Sequence, residues 1–275
     1  MRADYHMHSH VSHDARGAIL EHARRAEEAG LEEICFTEHL DFYPSADGGP
    51  CPTVPSEGEL RGYLAEVEEA RSRTPVRLRA GVELDYKPEA DARVRGLLSR
   101  FSFDFLLGSV HNVGPWPVSG PAETAEGYFA ERGGEGGCLD YLEVVDRAVA
   151  TGLFDSFAHL DLMKRFRPEN GEMMIRGRLR DRMVALLDRM AATGTGIEIN
   201  ASGLTHAPGE AYPSLELLRL ARERGVDTLT VGSDSHRPET VGRHLDSALA
   251  LAREAGYTHL ATFEKRRPTR HPIRL

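Results

Sequence analysis

The sequence has few cysteines, one tryptophan and no long apolar run. Its three cysteines (Cys35, Cys51, Cys138) are odd in number, widely spaced and without a Cys-x-x-Cys pair. That excludes a disulfide framework and a thiolate zinc site. Cys35 lies in an apolar run and reads as a small buried side chain, so the expected compartment is the reducing cytoplasm. No apolar segment approaches the roughly 20 residues a membrane helix needs. The N-terminus lacks the basic stretch and apolar run of a signal peptide. Positive charge is also scarce: 34 Lys and Arg stand against 43 Asp and Glu, a net charge of -9. A nucleic-acid binder needs a broad basic face with interleaved aromatics, so no nucleic-acid partner is expected. A small phosphorylated substrate stays compatible, because bound cations reverse the local charge. Low-complexity tracts and linkers are missing too. At 275 residues, 40% of them hydrophobic, the chain reads as one domain over 1–275. Oligomeric state carries no signal.

What is present is an alternation of strand and helix. Apolar strand-like runs fall at 4–8, 33–39, 76–85, 103–110, 155–159, 196–200 and 228–234, with another at 259–263. Helical periodicity covers 19–29, 59–71, 89–99, 177–192, 214–224 and 238–254. A further helical region, 122–150, is interrupted by Gly133-Gly134 and Gly136-Gly137. Residues 41–58 are a long Pro/Gly/Ser/Asp-rich loop, and 114–117 a rigid Gly-Pro-Trp-Pro turn. Strand–helix alternation implies a parallel sheet with covering helices. An open doubly wound sheet and a closed barrel both satisfy it.

The polar residues decide between them. His6 and His8 are separated by one residue and so share a face of a strand. The second strand ends in His39, the third in Glu83, the fourth in His111, the fifth in His159, and the seventh in Asp234 and His236. In a parallel barrel all carboxyl ends lie on one rim, so ligands scattered along the sequence meet in space. An open sheet would concentrate its site at one switch point. The expected fold is therefore α/β, a TIM-like barrel with its site at the C-terminal rim. Each histidine alone is an ordinary structural residue; only the set points to a metal site. His22, His244, His259 and His271 fall outside it and read as surface or helix-face histidines, and His10 as loop surface. The set exceeds the four ligands of one tetrahedral ion. With one more residue from the 13–14 loop it implies two or three divalent ions, and mixed His/carboxylate ligands suit Zn, Mn or Fe. Such a site favours hydrolysis, including in-line phosphoryl displacement. Lys164 and Arg165 follow His159 closely and could reach the rim to bind phosphate.

These words also carry a family resemblance. His6-Met7-His8, Thr37-Glu38-His39, Glu83, Gly108-Ser109-Val110-His111, His159 and Gly232-Ser233-Asp234-Ser235-His236 resemble, in order, the motifs of the PHP (polymerase and histidinol phosphatase) superfamily. The stretches 158–166, 200–204 and 232–238 are similar to its monofunctional histidinol-phosphate phosphatases. The resemblance implies a distorted (βα)7 barrel with a trinuclear site. It implies His6, His8, Glu83 and Asp234 on one ion, with Glu83 bridging to a second held by His111 and His159. The third takes His39, His236 and a first-loop residue, Asp14 in preference to His13. It further implies a phosphomonoesterase acting on L-histidinol phosphate in histidine biosynthesis. Lys164, Arg165 and His206 would bind phosphate, and Asp161 would orient His159 or meet a cationic substrate group. Glu83, Asp234, His236 and Arg165 would carry the chemistry. The 41–58 and 114–120 loops are the expected walls. Three alternatives stand beside this reading. One is a phosphoesterase for a nucleotide, oligonucleotide end or phosphotyrosine. Another is a non-catalytic metal-binding barrel. The third is an amidohydrolase-type barrel, disfavoured because no strand ends in a bridging lysine.

Overall fold

The computed structural model describes residues 1–41 and 55–274. Seven parallel strands lie in sequence order in one sheet. They are β1 (Ala3–Asp4), β2 (Glu33–Asp41), β3 (Arg77–Asp85), β4 (Phe105–Ser109), β5 (Ser156–Phe157), β6 (Gly196–Asn200) and β7 (Leu229–Gly232). The edges of this sheet come together. Tyr5 N donates to Val231 O, Asp234 N to His6 O and His8 N to Ser235 O, each at 2.8 Å. Met7 also bridges Ser235 in parallel. The result is a nearly closed seven-stranded barrel. All nine residues of β2 are buried, as a strand covered on both faces requires.

Helices α1 (Ile19–Glu28), α2 (Glu57–Arg71) and α3 (Asp91–Leu98) cover the first strands. Helix α2 starts two residues before the periodicity suggested. Ser56 caps it: Glu59 N donates to Ser56 Oγ at 3.2 Å and Ser56 N to Glu59 Oε2 at 2.7 Å. The 122–150 region is two helices, α4 (Ala122–Arg132) and α5 (Gly134–Ala150). Only Gly133, at φ 73°, breaks it. Gly137 lies within α5, where a Cβ would come within 3.0 Å of Tyr128 and Phe129. The glycine cluster thus makes one turn and one close helix contact. Then come α6 (Glu169–Met174), α7 (Gly177–Thr193), α8 (Leu215–Glu223) and α9 (Leu245–Glu254). Among the described residues no helix is long and apolar enough to cross a membrane.

The expected eighth strand forms but does not join the barrel. β8 (His259–Glu264) pairs antiparallel with β9 (Arg267–Pro272). Their turn binds residues just ahead of β4 and β5. Lys265 N donates to Asp104 Oδ1 at 3.0 Å and Arg266 Nε to Asp155 Oδ2 at 2.6 Å. Phe263 packs on Phe105 (4.9 Å) and Tyr5 (6.2 Å). The hairpin therefore plugs the N-terminal end, and the opposite rim is left for a site. His22 takes the helix-face place of the two expected, on the inward side. It is fully buried on α1, its Nδ1 3.1 Å from Ala18 O and its ring against Phe36.

Candidate metal centre

The C-terminal rim gathers the residues that the strand ends deliver. Past β1 the chain stays extended, so His6 and His8 point the same way and Met7 turns into the core. His39 and Glu83 are register partners on β2 and β3. His111 and His159 each lie two residues beyond their strands, and Asp234 and His236 follow β7.

Glu83 is the hub, buried to 1% exposure. Its Oε2 lies 3.4 Å from His6 Nε2, 3.6 Å from His8 Nε2 and 3.2 Å from His39 Nδ1. Its Oε1 lies 3.3 Å from His111 Nε2 and 3.1 Å from His159 Nε2. Asp234 Oδ1 is 3.5 Å from His6 Nε2 and 3.6 Å from both His8 Nε2 and His236 Nδ1. Asp14 spans the rim, 3.5 Å from His39 Nε2 and 3.4 Å from His236 Nε2. The neighbouring His13 ring stands 5.6 Å from the His39 ring. Five imidazoles thus surround Glu83, three surround Asp234 Oδ1 and two flank Asp14, and the groups overlap through His6, His8, His39 and His236.

Charges there are strongly perturbed. Burial resists ionisation of Glu83, yet His6 and His111 hold it well below the usual carboxylate range. The same contest, won by His6 and His8, depresses Asp234. Burial disfavours a proton on His6, but Glu198, Asp234 and Glu83 outweigh it and raise its pKa. His8 goes the other way, pushed down by burial and by His39 and His236. His159 and Asp234 have φ of 31° and 55°, a left-handed region costly for side chains with a Cβ. Hydrogen bonds hold them there: His159 N to Glu198 Oε2 at 3.1 Å, and Asp234 N to His6 O.

Several contributors were not legible beforehand. Glu198, on the one strand that supplied no expected ligand, sets His6. Its Oε1 is 2.6 Å from His6 Nδ1 while its Oε2 takes the His159 amide. This fixes the His6 tautomer with Nε2 free for a ligand role. Gly232 makes the approach possible: a Cβ there would lie 2.3 Å from His6 Cβ and 2.5 Å from Glu198 Oε1. Asn200 and Ser202 each donate to Asp234 Oδ2 at 3.2 Å. Glu38 takes Ser9 and Ser12 hydroxyls at 2.6 Å, and Ser12 Oγ lies 3.4 Å from His8 Nδ1. A buried Glu between two isoleucines in 196–200 was the available signal for Glu198.

A cavity of about 610 Å³ opens over the cluster. Arg165, His206, Ser202 and Tyr212 line it, as do Pro117, Ser119 and Gly120 from the 114–120 loop. Of the 41–58 loop, Asp41 lines it, and residues 42–54 lie outside the described residues. Two expectations need correction. Lys164 does not reach the cavity. It is fully buried, its Nζ on Asp161 Oδ2 (2.9 Å), Glu210 Oε1 (2.8 Å) and Ala211 O (2.8 Å). Asp161 is buried away from the cavity, its Oδ2 on Lys164 and the Ser214 amide, and it makes no hydrogen bond to His159, since its Oδ1 and His159 Nδ1 are both without a partner. The 3-10 turn at Leu162–Lys164 rotates Lys164 inward and leaves Arg165 on the rim.

The donor set fits divalent metal ions. His6 Nε2, His8 Nε2 and His39 Nδ1 are buried without a hydrogen-bond partner, although buried imidazole nitrogens ordinarily have one. Ligand atoms of His6, His8 and Asp234 lie within 4.8 Å of one another, as do those of His39, Glu83 and His111. Among known families, the PHP domain matches residues 4–202. The chain belongs to the PHP domain family. Within that family, a Deinococcus radiodurans protein bearing the name "Probable histidinol-phosphatase" is 34% identical over 258 residues, 92% of this chain and 93% of the relative. The histidinol-phosphatase of Lactococcus lactis is 28% identical, over 95% of this chain and 94% of its own. The crystal structure of the Lactococcus lactis enzyme with zinc, L-histidinol and phosphate superimposes with a TM-score of 0.79 at 25% identity, covering 98% of both chains. The distorted seven-stranded barrel is thus the PHP fold.

Proposed function

We propose that this PHP chain is a metal-dependent histidinol-phosphatase, hydrolysing L-histidinol phosphate to L-histidinol and phosphate in histidine biosynthesis. The observation that carries this is the completeness of the rim. Six imidazoles from the strand ends converge on Glu83, Asp234 and Asp14 beneath a cavity lined by Arg165. The full-length similarity to histidinol-phosphatases supports the same substrate.

Three metal positions account for the donors. His6, His8, Glu83 and Asp234 would hold the first, Glu83, His111 and His159 the second, and His39, His236 and Asp14 the third. Ions bound there would lower the pKa of water to make hydroxide at neutral pH and offset phosphoryl charge. Zinc suits the set, as do manganese and iron. The residues themselves do the rest. Glu83, flanked by five imidazoles, stays ionised and fixes the spacing of the set. Asn200 and Ser202 hold one Asp234 oxygen, which aims the other at His6, His8 and His236. Arg165 offers a planar fork to the phosphate oxygens, and His206 adds a donor beside it.

The test is phosphate release from L-histidinol phosphate beside a nucleoside monophosphate and p-nitrophenyl phosphate. The expected result is a preference for L-histidinol phosphate by two orders of magnitude or more in kcat/KM. Equal or better turnover of the others would overturn the substrate and keep the phosphoesterase.

A further inference from the structure

Lys164 is one of the largest fully buried side chains of the protein, and its ammonium is wholly committed. Its three protons meet Asp161 Oδ2, Glu210 Oε1 and Ala211 O at 2.8–2.9 Å. It also lies 5.2 Å over the Tyr212 ring. Two of these partners belong to the segment from Asn200 to Ser214, which joins β6 to α8 and carries Ser202, His206 and Tyr212 to the cavity. The ends of that segment are held otherwise. Asn200 and Tyr212 exchange backbone hydrogen bonds of 2.6 and 3.0 Å, and Ser214 N donates to Asp161. The loop packs closely on itself, because a Cβ on Gly203 would lie 2.3 Å from Glu210 O. Tyr212 OH lies 3.1 Å from His206 Nδ1. Gly171 makes room for the lysine stem, its Cβ position 3.1 Å from Lys164 Cδ.

We propose that Lys164 is a positioning residue for the phosphate end of the site: its buried ammonium pins residues 210–212 so that Tyr212 and His206 present a fixed face beside Arg165. This rests on the phosphatase reading above. A buried cation is a costly way to fill space, since an apolar side chain of like volume would do as well or better for stability. What the ammonium adds is direction. It orients three oxygens, two of them on the loop. Lys164 therefore acts through its neighbours and touches no substrate.

The experiment compares wild type with Lys164→Met, both zinc-loaded. It measures binding of inorganic phosphate by calorimetry, and KM and kcat for L-histidinol phosphate. Expected are a rise of about tenfold in both the phosphate Kd and KM, a kcat within about threefold, and unchanged zinc content. A folded Lys164→Met protein with phosphate Kd and KM within twofold of wild type would overturn the proposal. So would a fall in kcat or zinc content with phosphate binding intact. Should Lys164→Met not fold, Glu210→Gln weakens the same pin from its partly exposed side and Tyr212→Phe removes the contact to His206. Each must raise the phosphate Kd severalfold, and unchanged binding in either overturns the idea. Wild-type turnover of L-histidinol phosphate in the same series tests the functional reading separately, because phosphate binding is read without substrate.

Discussion

Replacing Glu198 with Gln probes how the centre is built, because it preserves volume and removes one acceptor. The carboxylate serves two donors, His6 Nδ1 at 2.6 Å and His159 N at 3.1 Å. An amide has one oxygen and an NH2 group. If the oxygen stays with His6, the NH2 confronts the His159 amide and loosens a residue held at φ 31°. If the oxygen stays with His159, the NH2 faces His6 Nδ1. That nitrogen must then accept, which moves the imidazole proton to Nε2, the atom facing Glu83 and Asp234. Either outcome impairs a ligand. Carboxylates that orient a ligating histidine are worth about 10–100-fold in metal affinity, or about 1.4–2.7 kcal/mol at 1.36 kcal/mol per tenfold. Zinc affinity measured by chelator competition should fall by that factor in a protein whose circular dichroism is unchanged. The gap should widen between pH 7 and pH 8. Glu198 raises the proton affinity of His6, so protons compete with metal more in wild type than in the variant. A folded Glu198→Gln protein that binds zinc within twofold of wild type at both pH values would refute the reasoning.

Other changes test neighbouring parts of the account. Gly232→Ala places a methyl 2.3 Å from His6 Cβ, so the protein should lose about 1–3 kcal/mol of stability and much of its zinc. A wild-type melting temperature with full zinc content would contradict this. Arg165→Ala removes charge-assisted hydrogen bonds worth about 1.5–3 kcal/mol, so KM and the inhibition constant for phosphate should rise at least tenfold, and an unchanged pair would take Arg165 out of substrate binding. In the metal-free protein burial works against a proton on His111, but Glu83 outweighs it and pushes the pKa up to about 9. The stabilisation this gives is fully present below the ordinary imidazole value near 6.5 and is lost as pH rises through about 9. Zinc uptake at pH 7 must then expel that proton. Calorimetric titrations in two buffers of different ionisation enthalpy should differ accordingly, and identical heats would contradict it.

The barrel and the centre were legible to different depths, for physical reasons. A parallel barrel delivers every strand's carboxyl end to one rim, so His39, Glu83, His111, His159, Asp234 and His236 could be read as one set from their places after apolar runs. Glu198 escaped because it acts from within its strand: Ile197, Glu198 and Ile199 are all buried, and an interior Glu reveals its partners only once His6 and His159 are seen beside it. Lys164 misled because adjacency to Arg165 says nothing of direction. A single 3-10 turn sends one inward and the other to the cavity. The 259–263 strand was correctly a strand, but pairing depends on the whole ring, and β1 and β7 had already met. The glycines at 133–137 had two unrelated uses, a positive φ and a contact with Tyr128 and Phe129.

The most direct measurement is phosphate release from L-histidinol phosphate by protein stripped with chelator and then reloaded with zinc, manganese or iron, beside Glu83→Gln treated alike. Stripping should abolish turnover, at least one metal should restore it, and Glu83→Gln should stay inactive with every metal. Turnover that survives stripping, or a Glu83→Gln protein as fast as wild type, would contradict this.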